Sequence, residues 1–591
     1  MAPVQAGKLR PSQAVTQHGP GALLDLPKLS MVVTSASDWE LGQCGRVDEP
    51  RLARRLRVTT FRSPPYFNRK SGSGGIPAAV FPHFLVCPRC HRLAPYDRFS
   101  FESHRVEPEF RCNAPDCPGA GYAVAYPARF MVACSRGHLA DFPWHAYSHE
   151  PNVQCDGDLR LEDTGQTGAI TDLWIKCDRH GVSKNLGQAF GQAGRSRLPV
   201  CGGERPWLGD VDPVPCAERP RVLLRGASNA YFPVIDSALS IPPWSDPVQQ
   251  ALGPYVDQMS KLASLEDVEA WLRLSTVPEL EALSPAQIWA GLSLRNGEDN
   301  ETPPDLRDEE WRAFQAEPGA IDERAQFQAR SVPVPEEATD FIERVVLLER
   351  IREVRALRGF ARIDPVPDVG DLGEVEALQA GMAPVMRGKS HNWYPGVEFR
   401  GEGIFLQLHE DSVRAWEGRE AVQQLAKTHE QAQLEWNQAR GLDASVSVPA
   451  RYLLLHSFAH ALVRQLALDC GYSSTSLRER IYSSNEETAP MAGVLIYTAT
   501  SDSDGSLGGL VEMGRPEDLG PLIRRALDDA RLCAGDPFCA GQEPSGSGEM
   551  NGAACHACLL IAETACEAGN RHLDRATLVP SLREFGIAIS T

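Results

Sequence analysis

The chain has 591 residues, enough for roughly four domains of ordinary size. Its 42% apolar and 23% charged residues describe a folding chain rather than a disordered one, and no apolar run approaches the ~20 residues of a membrane span. A formal net charge of −19 sets the molecule as a whole against nucleic-acid phosphates, so any contact with DNA must be local or supplied by a partner.

The first residues lack the apolar core of a secretory signal, which points to a cytoplasmic protein. In that reducing setting sixteen cysteines, many closely paired, read as metal ligands rather than disulfides. Ten lie between Cys44 and Cys216, none from Ala217 to Asp469, and six from Cys470 to Cys566. The stretch 51–70 carries seven Lys or Arg and no acid, making Arg51, Arg54, Arg55, Arg57, Arg62, Arg69 and Lys70 candidate phosphate contacts. A solvated basic segment paired with the acidic remainder is the alternative.

Cys87 and Cys90 in VCPRC, with Cys112 and Cys117 in CNAPDC, have the spacing of a four-thiolate zinc-ribbon site. Such a site is closed and structural, because no position remains for water or substrate. Further on, Cys177, His180, Cys201 and Cys216 are expected to form a site of three thiolates and an imidazole. Cys134, His138 and Cys155 are left as additional candidates without a clear fourth ligand. His145 and His149 lie nearby, but without a paired spacing they read as ordinary side chains.

The acidic, Pro-bearing segment 296–323 is expected to be a surface connection or mobile excursion outside the core. Apolar periodicity predicts helices over 338–358, 412–440 and 450–468, and strands over Val397–Leu408 and Met491–Thr500, the last followed by the glycine-rich turn SDSDGSLGG. Toward the carboxyl end, Cys533, Cys539, Cys555, Cys558 and Cys566 compete for four zinc positions. Cys555 and Cys558 are the surest pair, Cys533 and Cys539 can close the site, and Cys566 is an alternative ligand or a bystander.

Several patterns point elsewhere and fail on context. Ala383 to Ser390 (APVMRGKS) approximates a phosphate loop but lacks the strand before it and the helix after it. His456 and His460 share a helix face without the Glu of a zinc protease, which favours two histidines packed or hydrogen-bonded in a buried helix. Ser457 lacks a strand-turn-helix setting for a nucleophile. Asp502 and Asp504 lack the remaining ligands of a calcium loop.

LLLHSFAHAL, LIYTATSDSDGSLGGLVEMG, AACHACL and NRHLDRA resemble the MrfA zinc-binding (MZB) domain that accompanies certain DNA helicases. LRPSQAVTQHGPGALLDL, ACSRGHLADFPWHAYSH, RGASNAYFPVIDSALSIP, REVRALRGFARIDP and WYPGVEFRGEGIFL extend the likeness to most of the chain, which resembles the DrmB family, the MZB component of the DISARM anti-phage system. The resemblance implies a DrmA-like helicase partner, a DNA methylase and a phospholipase-D-like protein in the same system, and action on incoming unmodified DNA, single-stranded or at ends, through the complex.

The expected architecture is therefore α+β and multidomain. It comprises an N-terminal segment with the basic stretch (1–80), a cysteine-rich zinc-ribbon-like region (81–245), a largely helical middle (246–445) and a mixed α/β MZB-type domain (446–591). Zn2+ in two or three structural sites is the expected cofactor, and a non-catalytic helicase subunit the expected function. The alternative is a zinc-dependent hydrolase or nuclease, which would need a metal with an open position for water.

Overall fold

The structure, a computed structural model, describes residues 5–579 apart from 69–72, 104–107, 150–152, 166–168, 260, 276, 298–304, 317–324, 366–380, 389, 439–447, 474, 499–508, 547–549 and 564. Arg69, Lys70, Lys389, Asp502, Asp504 and nearly all of the glycine-rich turn lie outside the described residues.

The cysteine-rich region is built from very short strands. Eight of them form one antiparallel sheet running from Ser100–Glu102 to Val182–Asn185, and three more (Leu139–Asp141, Phe130–Ala133, Arg221–Leu224) form a second. The strands are two to five residues long and are broken by Gly, Pro and Cys-bearing turns, so each pair buries little on its own. Two modest apolar clusters back them, one around Phe142, Trp144 and Tyr147, the other around Phe99 and Phe110.

The body of the molecule is a larger sheet whose spine runs β1 (Phe232–Leu239), β2 (Ile342–Ala361), β3 (Trp393–Leu408), β5 (Met491–Thr498), β4 (Leu477–Ser484), all antiparallel. β1, β2 and β3 lie within the cysteine-free middle and β4 and β5 after it, and Thr60–Arg62 joins β3 in parallel. One face packs on helix α2 (Ala450–Cys470) and on Pro516–Asp529, with Leu347, Leu406, Phe458 and Leu522 in a single apolar cluster. Helix α1 (Leu306–Gln315) covers the other face, placing Trp311 and Phe314 against Phe405 and Tyr482.

Four readings of the sequence are corrected. The expected helix over 338–358 is β2, a twenty-residue strand. Both faces of β2 are covered, so the alternation that marks a half-buried strand is lost, and the chain keeps spacings that also fit a helix. Its charges are paired inside the protein: Arg352 with Glu398 at 2.9 Å, Arg358 with Asp236 at 3.1 Å, and Arg355 over the Phe399 ring at 4.1 Å. The acidic segment is not merely a surface connection, because α1 within it is core. Buried Glu310 accepts from Arg480 Nε at 2.7 Å, from the Tyr482 hydroxyl at 2.9 Å and from the Leu239 amide at 3.1 Å.

The third correction concerns the basic stretch. Arg51 is fully buried in the helix Pro50–Arg55; its guanidinium donates to Leu239 O and Leu306 O, each at 2.8 Å, and pairs with Glu309. It holds the sheet to α1 and cannot reach a phosphate. Arg54, Arg55 and Arg62 are half-buried and Arg57 is exposed. The fourth is the reading of 412–440 as one helix: Gly418 divides it into Glu410–Glu417 and Glu420–Gln438. The helix at 450–468 and the strands at 397–408 and 491–498 fall where expected. Ala383–Pro384 forms a two-residue strand, and among the described residues the next element after it is β3 rather than the helix a phosphate loop needs. Among the described residues, no helix is long and apolar enough to cross a membrane.

Candidate metal centres

Among the described residues, four groups made only of Cys and His side chains converge, each with its donor atoms within 4.8 Å of one another. In the first, Cys87 follows the strand Phe84–Val86 and Cys90 precedes Arg92–Pro95, while Cys112 follows Glu109–Arg111. Val86 pairs with Tyr126 antiparallel, which brings both hairpin turns to the same end of the sheet. The sulfurs then meet, Cys87 to Cys117 at 3.7 Å and Cys90 to Cys112 at 3.8 Å. Ligand spacings of about 3.3–3.8 Å follow from tetrahedral zinc with bonds of 2.0–2.3 Å. His91 takes a left-handed φ of 58°, which turns the chain tightly after Cys90.

The next two groups differ from the expected partition. Cys201 and Cys216 join Cys134 and His138, not Cys177 and His180. Cys134 Sγ lies 3.4 Å from His138 Nδ1, 3.7 Å from Cys201 and 4.0 Å from Cys216. The reason is pairing: Ala133 sits opposite Arg221 in the small sheet, which carries the chain after Cys216 back beside Cys134. His138 Nε2 donates to Asp212 at 3.0 Å, fixing the tautomer that leaves Nδ1 free to bind a metal. The hydrogen bond from Cys134 draws Cys201 down to about 4, and the same contact pushes Cys134 up. Such crowding of thiols is relieved by a shared cation.

Cys177 and His180 instead meet Cys155, at 3.8 Å between sulfurs and 3.4 Å from Cys177 Sγ to His180 Nδ1. The fourth member is His149, at the end of the helix Trp144–Ser148, which carried no spacing signal. Its Nδ1 donates to His145 O at 3.0 Å, while its buried Nε2 has no hydrogen-bond partner in the protein. An imidazole nitrogen held this way, beside two thiols and a second imidazole, fits a bound zinc.

In the carboxyl group Cys533 faces Cys555 at 3.4 Å and Cys539 faces Cys558 at 3.6 Å. Asp536 shapes the first loop by accepting from Cys533 N at 2.9 Å and Ala540 N at 3.0 Å, and it pairs with Arg575. Cys566 is not in this group; it lies 3.2 Å from His456 Nε2 in the core. Two of the four groups, those of Cys87 and of Cys555, have the membership that cysteine spacing suggests, whereas the assignment of Cys201, Cys216 and His149 depends on strand pairing.

Backbone amides reach a sulfur in three of these groups, from Arg89 to Cys87 at 3.4 Å, Gly203 to Cys201 at 3.4 Å and Gly535 to Cys533 at 3.3 Å. Amides pointed at sulfur stabilise thiolates, the form that binds metal. With four protein donors in each group, the arrangement is that of closed, structural zinc sites rather than sites open to substrate.

A protein with several such Cys/His clusters suited to zinc, set around an α+β body, is a multi-site zinc-binding protein. Comparison with known families agrees: residues 458–559 match the MrfA Zn-binding domain and residues 10–232 match a domain of unknown function, DUF8724. The chain is similar to the DISARM protein DrmB of Bacillus paralicheniformis, at 32% identity over 570 residues that cover 94% of this chain and 97% of the relative. It belongs to the DrmB family of DISARM proteins.

Proposed function

We propose that this chain is the non-catalytic, zinc-stapled subunit of a DISARM assembly, which binds a DrmA-like helicase and modulates its DNA binding and ATP hydrolysis on foreign DNA. The observation that carries the reading is the full-length similarity to a DISARM DrmB protein. Two features of the chain support it: its metal candidates are four-donor groups of the structural kind, and among the described residues Ala383–Pro384 is followed by a strand rather than by the helix a phosphate loop needs. The partner supplies the motor and most of the positive surface that a protein of net charge −19 lacks. Zinc in the four groups is assigned to Cys87, Cys90, Cys112 and Cys117; to Cys134, His138, Cys201 and Cys216; to His149, Cys155, Cys177 and His180; and to Cys533, Cys539, Cys555 and Cys558. Further partners, a methylase and a phospholipase-D-like protein, follow from the family resemblance; a cytoplasmic location is part of the same proposal.

The test is DNA-stimulated ATP hydrolysis by the neighbouring helicase with and without this chain, and by this chain alone. The expected result is an inert chain that changes the rate or the DNA affinity of the helicase. ATP turnover by the chain alone, or a helicase indifferent to it, overturns the reading.

A further inference from the structure

The sequence reading of His456 and His460 as an ordinary buried pair leaves one feature of the core unexplained. The two imidazoles project from one face of α2, with ring centroids 4.5 Å apart, toward Glu479 on β4 and Cys566 in the loop after the carboxyl cysteines. Glu479 Oε1 lies 3.0 Å from His456 Nε2 and 3.2 Å from His460 Nε2, and Cys566 Sγ lies 3.2 Å from His456 Nε2. All four side chains are buried, and their donor atoms lie within 4.8 Å of one another.

The hydrogen bonds around this cluster orient its lone pairs inward. His460 Nδ1 sits 2.8 Å from Leu559 O, which can only accept, so Nδ1 carries the hydrogen and Nε2 of a neutral ring presents a lone pair. That lone pair faces a carboxylate oxygen, a repulsive contact unless a cation lies between them. Cys566 Sγ accepts from the Asn570 amide at 3.2 Å, the same amide-to-sulfur contact found in the four-donor groups above. The Glu479 amide in turn donates to Ala565 O at 3.3 Å, which fixes the acid beside the thiol-bearing loop. One carboxylate, one thiolate and two neutral imidazoles around a divalent ion sum to zero charge, which suits a site excluded from water.

We propose that His456, His460, Glu479 and Cys566 form a fifth metal site, with mixed N2OS donors and zinc as the ion that donor set and a tetrahedral arrangement favour. The ion joins α2, β4 and the segment that follows Cys558, three pieces of chain otherwise linked there by apolar packing and a few hydrogen bonds. With four protein donors and no exposure the site is closed, so its role is to lock the carboxyl cysteine loop onto the central sheet. It does not depend on the helicase reading above.

The test is a count of bound ions on the purified full chain by native mass spectrometry with elemental analysis, for the wild type, Cys566→Ser, His460→Gln and the control Cys44→Ser. One ion fewer in either cluster variant, with the control unchanged, is the expected result. An unchanged count in both soluble variants overturns the site and leaves a hydrogen-bonded ion pair. Should neither variant accumulate as soluble protein, 113Cd NMR of the exchanged wild type reads the site directly. An N2OS ligand set gives a resonance well upfield of those from thiolate-rich sites, and its absence also overturns the proposal.

Discussion

The cysteine-rich region and the central sheet solve the same problem, holding strands together, by different means. Strands of two to five residues such as Phe84–Val86 and Glu109–Arg111 bury too little to hold a hairpin, and the donor groups sit at their turns. β2 and β3, with twenty and sixteen residues, share a long antiparallel register and an apolar cluster on each face. The first region therefore leans on zinc, and the second on burial and on paired interior charges. Stability should divide along that line.

The largest effect that would break the comparison is metal removal. Structural zinc contributes on the order of 10 kcal/mol to small domains that fold around it. Chelation, or Cys87→Ser, is expected to abolish amide-exchange protection across residues 84–127 while β2 and β3 keep theirs. Equal loss in both regions would show that the sheet also depends on metal; retained protection at 84–127 would show that the region does not.

The converse probe acts on the sheet alone. Burial by itself would raise the pKa of Glu310, but the guanidiniums of Arg480, Arg51 and Arg307 hold it below the usual carboxylate range. Glu310→Gln leaves the buried guanidinium of Arg480 without its closest counter-charge, a loss of about 3–5 kcal/mol. Urea unfolding followed by Trp fluorescence should show it, with bound zinc unchanged. A loss below about 1 kcal/mol would move the weight of the sheet from ion pairs to apolar packing.

A smaller effect separates the regions by pH. Burial would raise Glu353, yet Arg355 beside it brings it down to about 2. A carboxylate depressed in this way stabilises the fold fully above its unfolded value near 4.5, and the contribution drains away as pH falls toward 2. At 1.36 kcal/mol per unit the shift is worth about 3 kcal/mol. Glu353→Gln should therefore be less stable than wild type at pH 7 and converge on it in acid. Parallel pH curves would remove Glu353 from the account.

The same division governs what the sequence revealed. Metal sites advertise themselves because chelation demands short spacings: Cys87 with Cys90, and Cys555 with Cys558, are visible without any fold. Their long-range partners are not, since Cys134 meets Cys201 and Cys216 through the pairing of Ala133 with Arg221, and His149 arrives from the end of a short helix. The sheet hid for the opposite reason. Buried on both faces, β2 has no alternation to detect, and its Arg and Glu residues imitate the solvated face of a helix. Arg51 misled in the same way, as a cation in a basic run that in fact pairs with Glu309 and caps carbonyls inside the body.

The finest distinction lies between two metal groups within the cysteine-rich region. His138 is oriented by a carboxylate, Asp212, which also pairs with Arg136 at 3.1 Å, whereas His149 is oriented by the backbone carbonyl of His145. A carboxylate partner raises the basicity of the imidazole that binds the metal, and replacing such a partner costs roughly 10- to 100-fold in metal affinity. Asp212→Asn keeps an oxygen that can accept from His138 Nε2 but removes the charge. Affinity at the Cys134 group should therefore fall toward the lower end of that range, about tenfold, with the fold intact. Competition with a graded chelator reads this as one ion released earlier than the others. Release of the Cys155 group in its place would reverse the assignment of orienting partners, because His149 gains nothing from Asp212.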